Sequence, residues 1–130
     1  MGIECFLDFA GDLNGASVYF DCKSTKGKNL PLAMLKKHQV DKVSDGHARG
    51  AIAFFLVEFS ECGPIYYILP WPILADAWIR FQGLGYPASI PILVFKTSCI
   101  EVIRSGKSID LVRAIQSHLS EIGGKSNAQT

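Results

Sequence analysis

The run Asp8-Phe9-Ala10-Gly11-Asp12-Leu13-Asn14-Gly15-Ala16-Ser17-Val18-Tyr19-Phe20-Asp21-Cys22-Lys23 decides how this chain folds. Asn14-Gly15 is a strong hairpin signal, because both central residues of a type I′ turn need positive φ. After it, Val18, Phe20 and Cys22 alternate with Tyr19, Asp21 and Lys23, the period of a strand with two different faces. Before it, Ile3 to Phe9 is apolar and carries Cys5, Phe6 and Phe9, so a first strand is expected there. A two-residue loop pairs Leu13 with Ala16 and sets Asp8 directly opposite Asp21. A bulge at Gly11 would slip that register and send Asp8 to the other face.

Downstream, Ser24 to Asn29 is polar and holds Lys26 and Lys28. Pro31 opens a run with Leu32, Leu35, Val40 and Val43 near helical spacing, and this predicts a helix carrying Lys36, Lys37, His38 and Gln39. Asp45-Gly46-His47 reads as a loop. Ala51 to Phe59 is almost continuously apolar, as expected of a strand buried on both faces at the sheet's centre. Gly63-Pro64 turns into a strand over Ile65 to Leu69, and Pro72 opens a short helix through Ala75, Trp78 and Ile79. Gly83 to Pro91 reads as loop, and Ile92–Phe95 and Ile100–Ile103 as strand or irregular chain. Ser108 is expected to cap a last helix through Leu111, Ile115 and Leu119, ending at Gly123.

The chain has 130 residues, 48% hydrophobic and 19% charged, which suits one packed domain over residues 1–122 with a flexible tail over 123–130. Thirteen Lys plus Arg against twelve Asp plus Glu leave a formal charge of +1, so nucleic-acid binding is not announced by net charge and must come from local clustering. No apolar stretch approaches the ~18 residues of a membrane span, and Met1 to Phe9 lacks the basic start and long apolar run of a secretory signal. A cytoplasmic protein is expected. Cys5, Cys22, Cys62 and Cys99 form no C-x-x-C pair, which argues against a zinc site. Glu61-Cys62-Gly63-Pro64-Ile65 echoes a thioredoxin motif, but Ile65 replaces the second cysteine, so dithiol chemistry is excluded.

The chemistry sits on the hairpin. Lys23 shares a face with Asp21 and, by the register, with Asp8, so two carboxylates and one amine converge. Like charges opposed across strands are destabilising. A divalent cation between them resolves this: Mg²⁺ takes few carboxylates and keeps positions for a phosphate oxygen and an attacking water, which Lys23 can orient. The same residues also fit a solvated sheet edge with a surface ion pair worth ~0–1 kcal/mol. Lys23, Lys26, Lys28, Lys36, Lys37 and His38 lie within sixteen positions of one another and can neutralise several phosphates or simply form a solvated face. His47 and His118 read as surface residues.

These motifs carry a resemblance. The ordered series Asp8…Asp21-Cys22-Lys23, then Lys26 and Lys28, Leu30-Pro31-Leu32, His38-Gln39-Val40, the strand Ala51 to Phe59, and Tyr66-Tyr67-Ile68-Leu69 with Trp78 resembles the RecU-type Holliday-junction resolvases, within the restriction-endonuclease-like (PD-(D/E)xK) nuclease superfamily. The resemblance runs from about Cys5 to Trp78. It implies an α/β restriction-endonuclease-like core, a mixed central sheet flanked by helices, with the active site on the N-terminal hairpin. It further implies that Asp8 and Asp21 hold Mg²⁺ or Mn²⁺ with help from the Cys22 backbone carbonyl, that Lys23 assists hydrolysis, and that Gln39 lies near the metal. Lys26, Lys28, Lys36, Lys37 and His38 would contact DNA.

Two departures stand out: Asp21 takes the place of the family's usual Glu, and the sequence before Asp8 reads as lacking the family's upstream helix and protruding stalk. The expected protein is a Mg²⁺-dependent endonuclease resolving four-way junctions in recombination and repair. It is expected to act as a homodimer, with no membrane partner and no small-molecule cofactor. An aromatic group of Trp71, Trp78, Phe81 and Tyr86 offers either an interface or an ordinary core. A simpler duplex or flap nuclease, and a non-catalytic DNA-binding module of the same fold, remain as alternatives.

Overall fold

A computed structural model describes residues 8–13, 15–84, 88–105 and 108–109, with backbone alone for 8–13, 16, 83–84, 104–105 and 108–109. The elements are β1 (Asp8–Leu13), β2 (Ala16–Thr25), β3 (Asn29–Pro31), a 3₁₀ turn (Leu32–Met34), α1 (Lys37–Ala48), β4 (Ile52–Phe59) and β5 (Ile65–Pro70). They continue with α2 (Trp71–Leu84), β6 (Ser89–Pro91), α3 (Ile92–Ser98), β7 (Ile100–Val102), β8 (Arg104–Ser105) and β9 (Ser108–Ile109).

The main sheet has the order β1-β2-β4-β5-β7. Its β2–β4 pair is parallel and the others are antiparallel. Parallel neighbours require a crossover, and α1 supplies it, packing on β4 and β2. Central β4 divides its side chains between two cores. Ala53, Phe55, Val57 and Phe59 join Val40 and Val43 of α1, Leu74 and Trp78 of α2, and Phe95 of α3. On the other face, Ile52, Phe54 and Leu56 join Val18, Phe20 and Cys22 of β2 and Tyr66 and Ile68 of β5. The mixed sheet, central β4 and the alternation of β2 agree with the sequence reading.

The hairpin has the expected register. Leu13 pairs with Ala16, Gly11 with Val18 and Asp8 with Asp21, so no bulge intervenes, and Gly15 sits at φ 84° in the turn. The first strand runs on to Leu13 rather than ending at Phe9; residues 3–7, with Cys5, lie outside the described residues.

Five segments depart from the sequence reading. The helix does not open at Pro31: Asn29–Pro31 pairs with β6, Leu32 N–H donates to Ala88 O at 2.9 Å, and Lys36 becomes the N-cap. Leu30 and Leu32 are both buried at strand spacing, so tertiary pairing overrides the apparent helical period. Asp45-Gly46-His47 lies inside α1 rather than in a loop, because Gly46 lets the helix approach β4: a Cβ there would stand 3.0 Å from the Ala53 Cβ. Ile92 to Ser98 is helical, with Phe95 facing the core. Ser108 belongs to a short strand paired with β8, not to a helix cap; the expected helix body from residue 110, with His118, and the tail over 123–130 lie outside the described residues. The segment expected as loop over 83–91 instead ends α2 at Leu84 and forms β6, with Tyr86 outside the described residues.

Candidate active site

Alternation along β2 fixes which side chains share the α1 side of the sheet. Val18, Phe20 and Cys22 are buried in the core on the far side, which leaves Tyr19, Asp21, Lys23 and Thr25 facing α1. Asp21 is 2% exposed and Lys23 half-buried. Asp8 stands opposite Asp21 in the ladder. The Cys22 thiol points into the opposite core, so any contribution of this residue to the site must come from its backbone carbonyl.

The end of β2 is tied down before the chain enters the lysine loop. The Thr25 hydroxyl donates to Asn29 O at 3.0 Å, Ser60 N–H donates to Thr25 O at 2.9 Å, and Ile92 N–H donates to Lys28 O at 2.8 Å. Lys26 and Lys28 are exposed on a loop whose ends are held by two other parts of the fold. Because α1 runs back along β2, its N-terminus lies toward this same end of the sheet. Lys36, Lys37 and His38 occupy the N-cap and first two helical positions, all exposed, and the first turn holds no acid. Cations there oppose the helix dipole, and a bound anion turns that cost into an attraction. Lys37 is in part neutralised by Asp41, 2.8 Å away.

Gln39 is half-buried one turn into α1, and its Oε1 accepts from Lys36 N–H at 3.3 Å. Fixing the oxygen in this way directs the amide NH₂ away from the cap. One turn further on, Lys42 Nζ lies 5.4 Å from the centre of the Tyr19 ring. The sequence reading set Tyr19 on the Asp21 face but gave it no role, and passed over Lys42. Their signal was positional: Tyr19 is two residues before Asp21 on one strand face, and Lys42 three after Gln39 on one helix face.

The donor set suits a hard divalent cation. Asp8 and Asp21 offer carboxylate oxygens and Cys22 a carbonyl, the ligand types Mg²⁺ and Mn²⁺ prefer. Among the described residues no group of three or more His, Cys, Asp or Glu side chains gathers at any one place. The open recess lined by Gly15, Ser17, Arg49, Gly50 and Ala51 lies at the turn end of the hairpin, away from these acids. Of the aromatic group, Trp78 is buried and Trp71 and Phe81 pack on the same core as its rim. No helix among the described residues is long and apolar enough to cross a membrane.

A five-stranded mixed sheet flanked by helices, with an acid opposite an acid-x-lysine strand on its outer hairpin, defines an α/β fold of the nuclease type. The family model described as Recombination protein U (RecU) matches residues 3–117, and the chain belongs to this family. Among its relatives, the Holliday junction resolvase RecU of Limosilactobacillus fermentum is 34% identical over 90 residues, covering 68% of this chain and 42% of the relative. The resolvase of the same name from Oenococcus oeni is 29% identical over 96 residues, 73% of this chain and 48% of that one. That of Staphylococcus carnosus is 34% identical over 76 residues, 58% and 36% of the two chains. The chain thus spans less than half the length of these relatives.

Proposed function

We propose that this domain is a divalent-metal-dependent DNA endonuclease that cleaves four-way junctions by phosphodiester hydrolysis, working in the cytoplasm as a homodimer. The observation that carries the reading is the ladder position of Asp8 opposite Asp21, with Lys23 on the same face, in a chain of the RecU family. Two active sites related by a twofold axis suit a substrate with two symmetric strands to cut.

Asp8 and Asp21, with the Cys22 carbonyl, would hold Mg²⁺ or Mn²⁺. Once bound, such an ion supplies charge stabilisation on the phosphoryl oxygens and a water made more acidic. Lys23 holds the attacking water beside the phosphorus and offsets the charge that builds on the phosphoryl oxygens as the new P–O bond forms and the ester P–O bond breaks. Gln39, its oxygen fixed at the cap, presents its NH₂ as a donor to a phosphate oxygen. Lys26, Lys28, Lys36, Lys37 and His38 grip the flanking backbone, Lys37 exchanging Asp41 for phosphate.

Cleavage of a synthetic four-way junction with Mg²⁺, by wild type and Asp21→Asn, tests this. The expected result is cutting by the wild type only, with binding retained by both. Equal cutting by the variant rejects the mechanism. Equal cutting of linear duplex by the wild type replaces the junction reading with a simpler nuclease, and binding without cutting indicates a non-catalytic module.

A further inference from the structure

Tyr19, Asp21 and Lys23 succeed one another on a single face of β2, in steps of about 6.6 Å. Across from them α1 runs in the opposite direction, so moving from Gln39 to Lys42 on the helix matches moving from Asp21 back to Tyr19 on the strand. Three other charged side chains of α1 and its C-cap Arg49 are taken up in pairs: Lys37 with Asp41 at 2.8 Å, and Arg49 with Asp45 at 2.7 Å. Lys42 belongs to neither pair. Its ammonium is held over the Tyr19 ring instead, at 5.4 Å from the centroid, beside the candidate metal site. An ammonium restrained by a ring loses less rotamer freedom on binding an anion than one swinging in water.

We infer that Lys42, restrained by Tyr19, is a phosphate-positioning residue: it grips the backbone phosphate next to the scissile one, and the bound strand follows β2 from Lys42 past Asp21 and Lys23 to Lys26 and Lys28. This rests on the nuclease reading above and adds to it a residue and a path. From Tyr19 to Lys26 the strand rise gives a track of about 23 Å, with cations at both ends and the acid pair between them. The alternation of cations around a metal-holding acid pair fits a nucleic-acid backbone rather than an acidic peptide, whose carboxylates the acid pair would repel.

The test is binding of a fluorescein-labelled synthetic four-way junction by anisotropy, with Ca²⁺ replacing Mg²⁺, over about 50 to 200 mM salt. Lys42→Gln is expected to weaken binding and to lower the slope of log K against log salt by about 0.9, the signature of one lost phosphate contact. Lys42→Arg should restore the slope, and Lys96→Gln, the same charge change on exposed α3, should leave it at the wild-type value. Tyr19→Leu keeps the cation but frees it, so affinity falls while the slope stays. A merely structural Lys42 would not move the slope: a Lys42→Gln slope equal to wild type, or an equal fall in Lys96→Gln, overturns the inference and leaves the nuclease reading standing. A wild type that cuts no junction with Mg²⁺ removes the nuclease reading. If it also binds none with Ca²⁺, the inference falls with it.

Discussion

Asp8 and Asp21 are cross-strand partners in the outer hairpin, and Asp21 is 2% exposed. Two acids so placed work against the ladder unless a cation lies between them. Asp21→Asn keeps the side chain's shape and removes one charge. Metal that binds only the folded state raises the wild-type melting temperature with concentration, and the variant should lose that response to Mg²⁺ together with cleavage. Thermal melts with and without Mg²⁺ check this; a variant that keeps the wild-type Mg²⁺ response removes Asp21 from the metal site.

Gly46 faces Ala53 across the contact between α1 and β4, with 3.0 Å between a Cβ at position 46 and the Ala53 Cβ. Alanine there gains about 0.8–1 kcal/mol of helix propensity. Against this stands overpacking at about 1–3 kcal/mol, since the Ala53 Cβ is fixed to the backbone of the central strand and cannot swing aside. Gly46→Ala should destabilise by about 1 kcal/mol, seen as a lower urea midpoint at unchanged slope. An increased midpoint would show that α1 can lift off β4 at little cost.

The Cys99 thiol is pushed up by burial from an ordinary 9.0 to about 12. The Tyr67 phenol is raised too, first by burial and then by Glu101, Cys99 and Cys62. For both groups the folded state holds its proton more tightly than the unfolded one, so the Cys99 contribution to stability is complete below pH 9 and falls as pH rises toward 12, while that of Tyr67 begins to fall only near pH 10. Stability should decline from about pH 9 upward, less steeply in Cys99→Ala. The thiolate is the nucleophile, so iodoacetamide at pH 9 should label Cys99 far more slowly in the native protein than in urea. Equal labelling rates, followed by peptide mass spectrometry, would contradict the burial.

The hairpin was legible because its information is local: Asn14-Gly15 sets the turn, the turn sets the register, and the alternation of Val18, Phe20 and Cys22 sets the faces. The central strand was legible because a run such as Ile52 to Phe59 has few other places to go. What was not legible depends on distant partners. Pro31 and Leu32 read as the opening of a helix until Pro31 pairs with β6 and Leu32 N–H donates to Ala88 O, and Gly46 reads as a loop until Ala53 explains its missing side chain. The acids and Lys23 could be placed from spacing alone, whereas Lys42 and Tyr19 meet only once the true start of α1 at Lys37 fixes the helix against β2.

Gln39 has two roles to separate. Its Oε1 accepts from Lys36 N–H at 3.3 Å, which is a cap, and its NH₂ is the proposed donor to phosphate. Gln39→Ala removes both, and should cost about 0.5–1 kcal/mol of stability along with activity. Gln39→Glu separates them. The carboxylate keeps the acceptor and adds a negative charge near the helix N-terminus, worth about 0.3–1 kcal/mol in favour of the fold, but it has no hydrogen to give. Its melting temperature should equal or exceed the wild type's while cleavage at saturating junction falls about a hundredfold, the usual scale for losing one donor to developing charge. Saturating DNA matters because the added charge also weakens binding, and only the turnover under saturation isolates the missing donor. A Gln39→Glu variant as stable as wild type and equally fast would confine Gln39 to capping the helix and return the donor's task to Lys23.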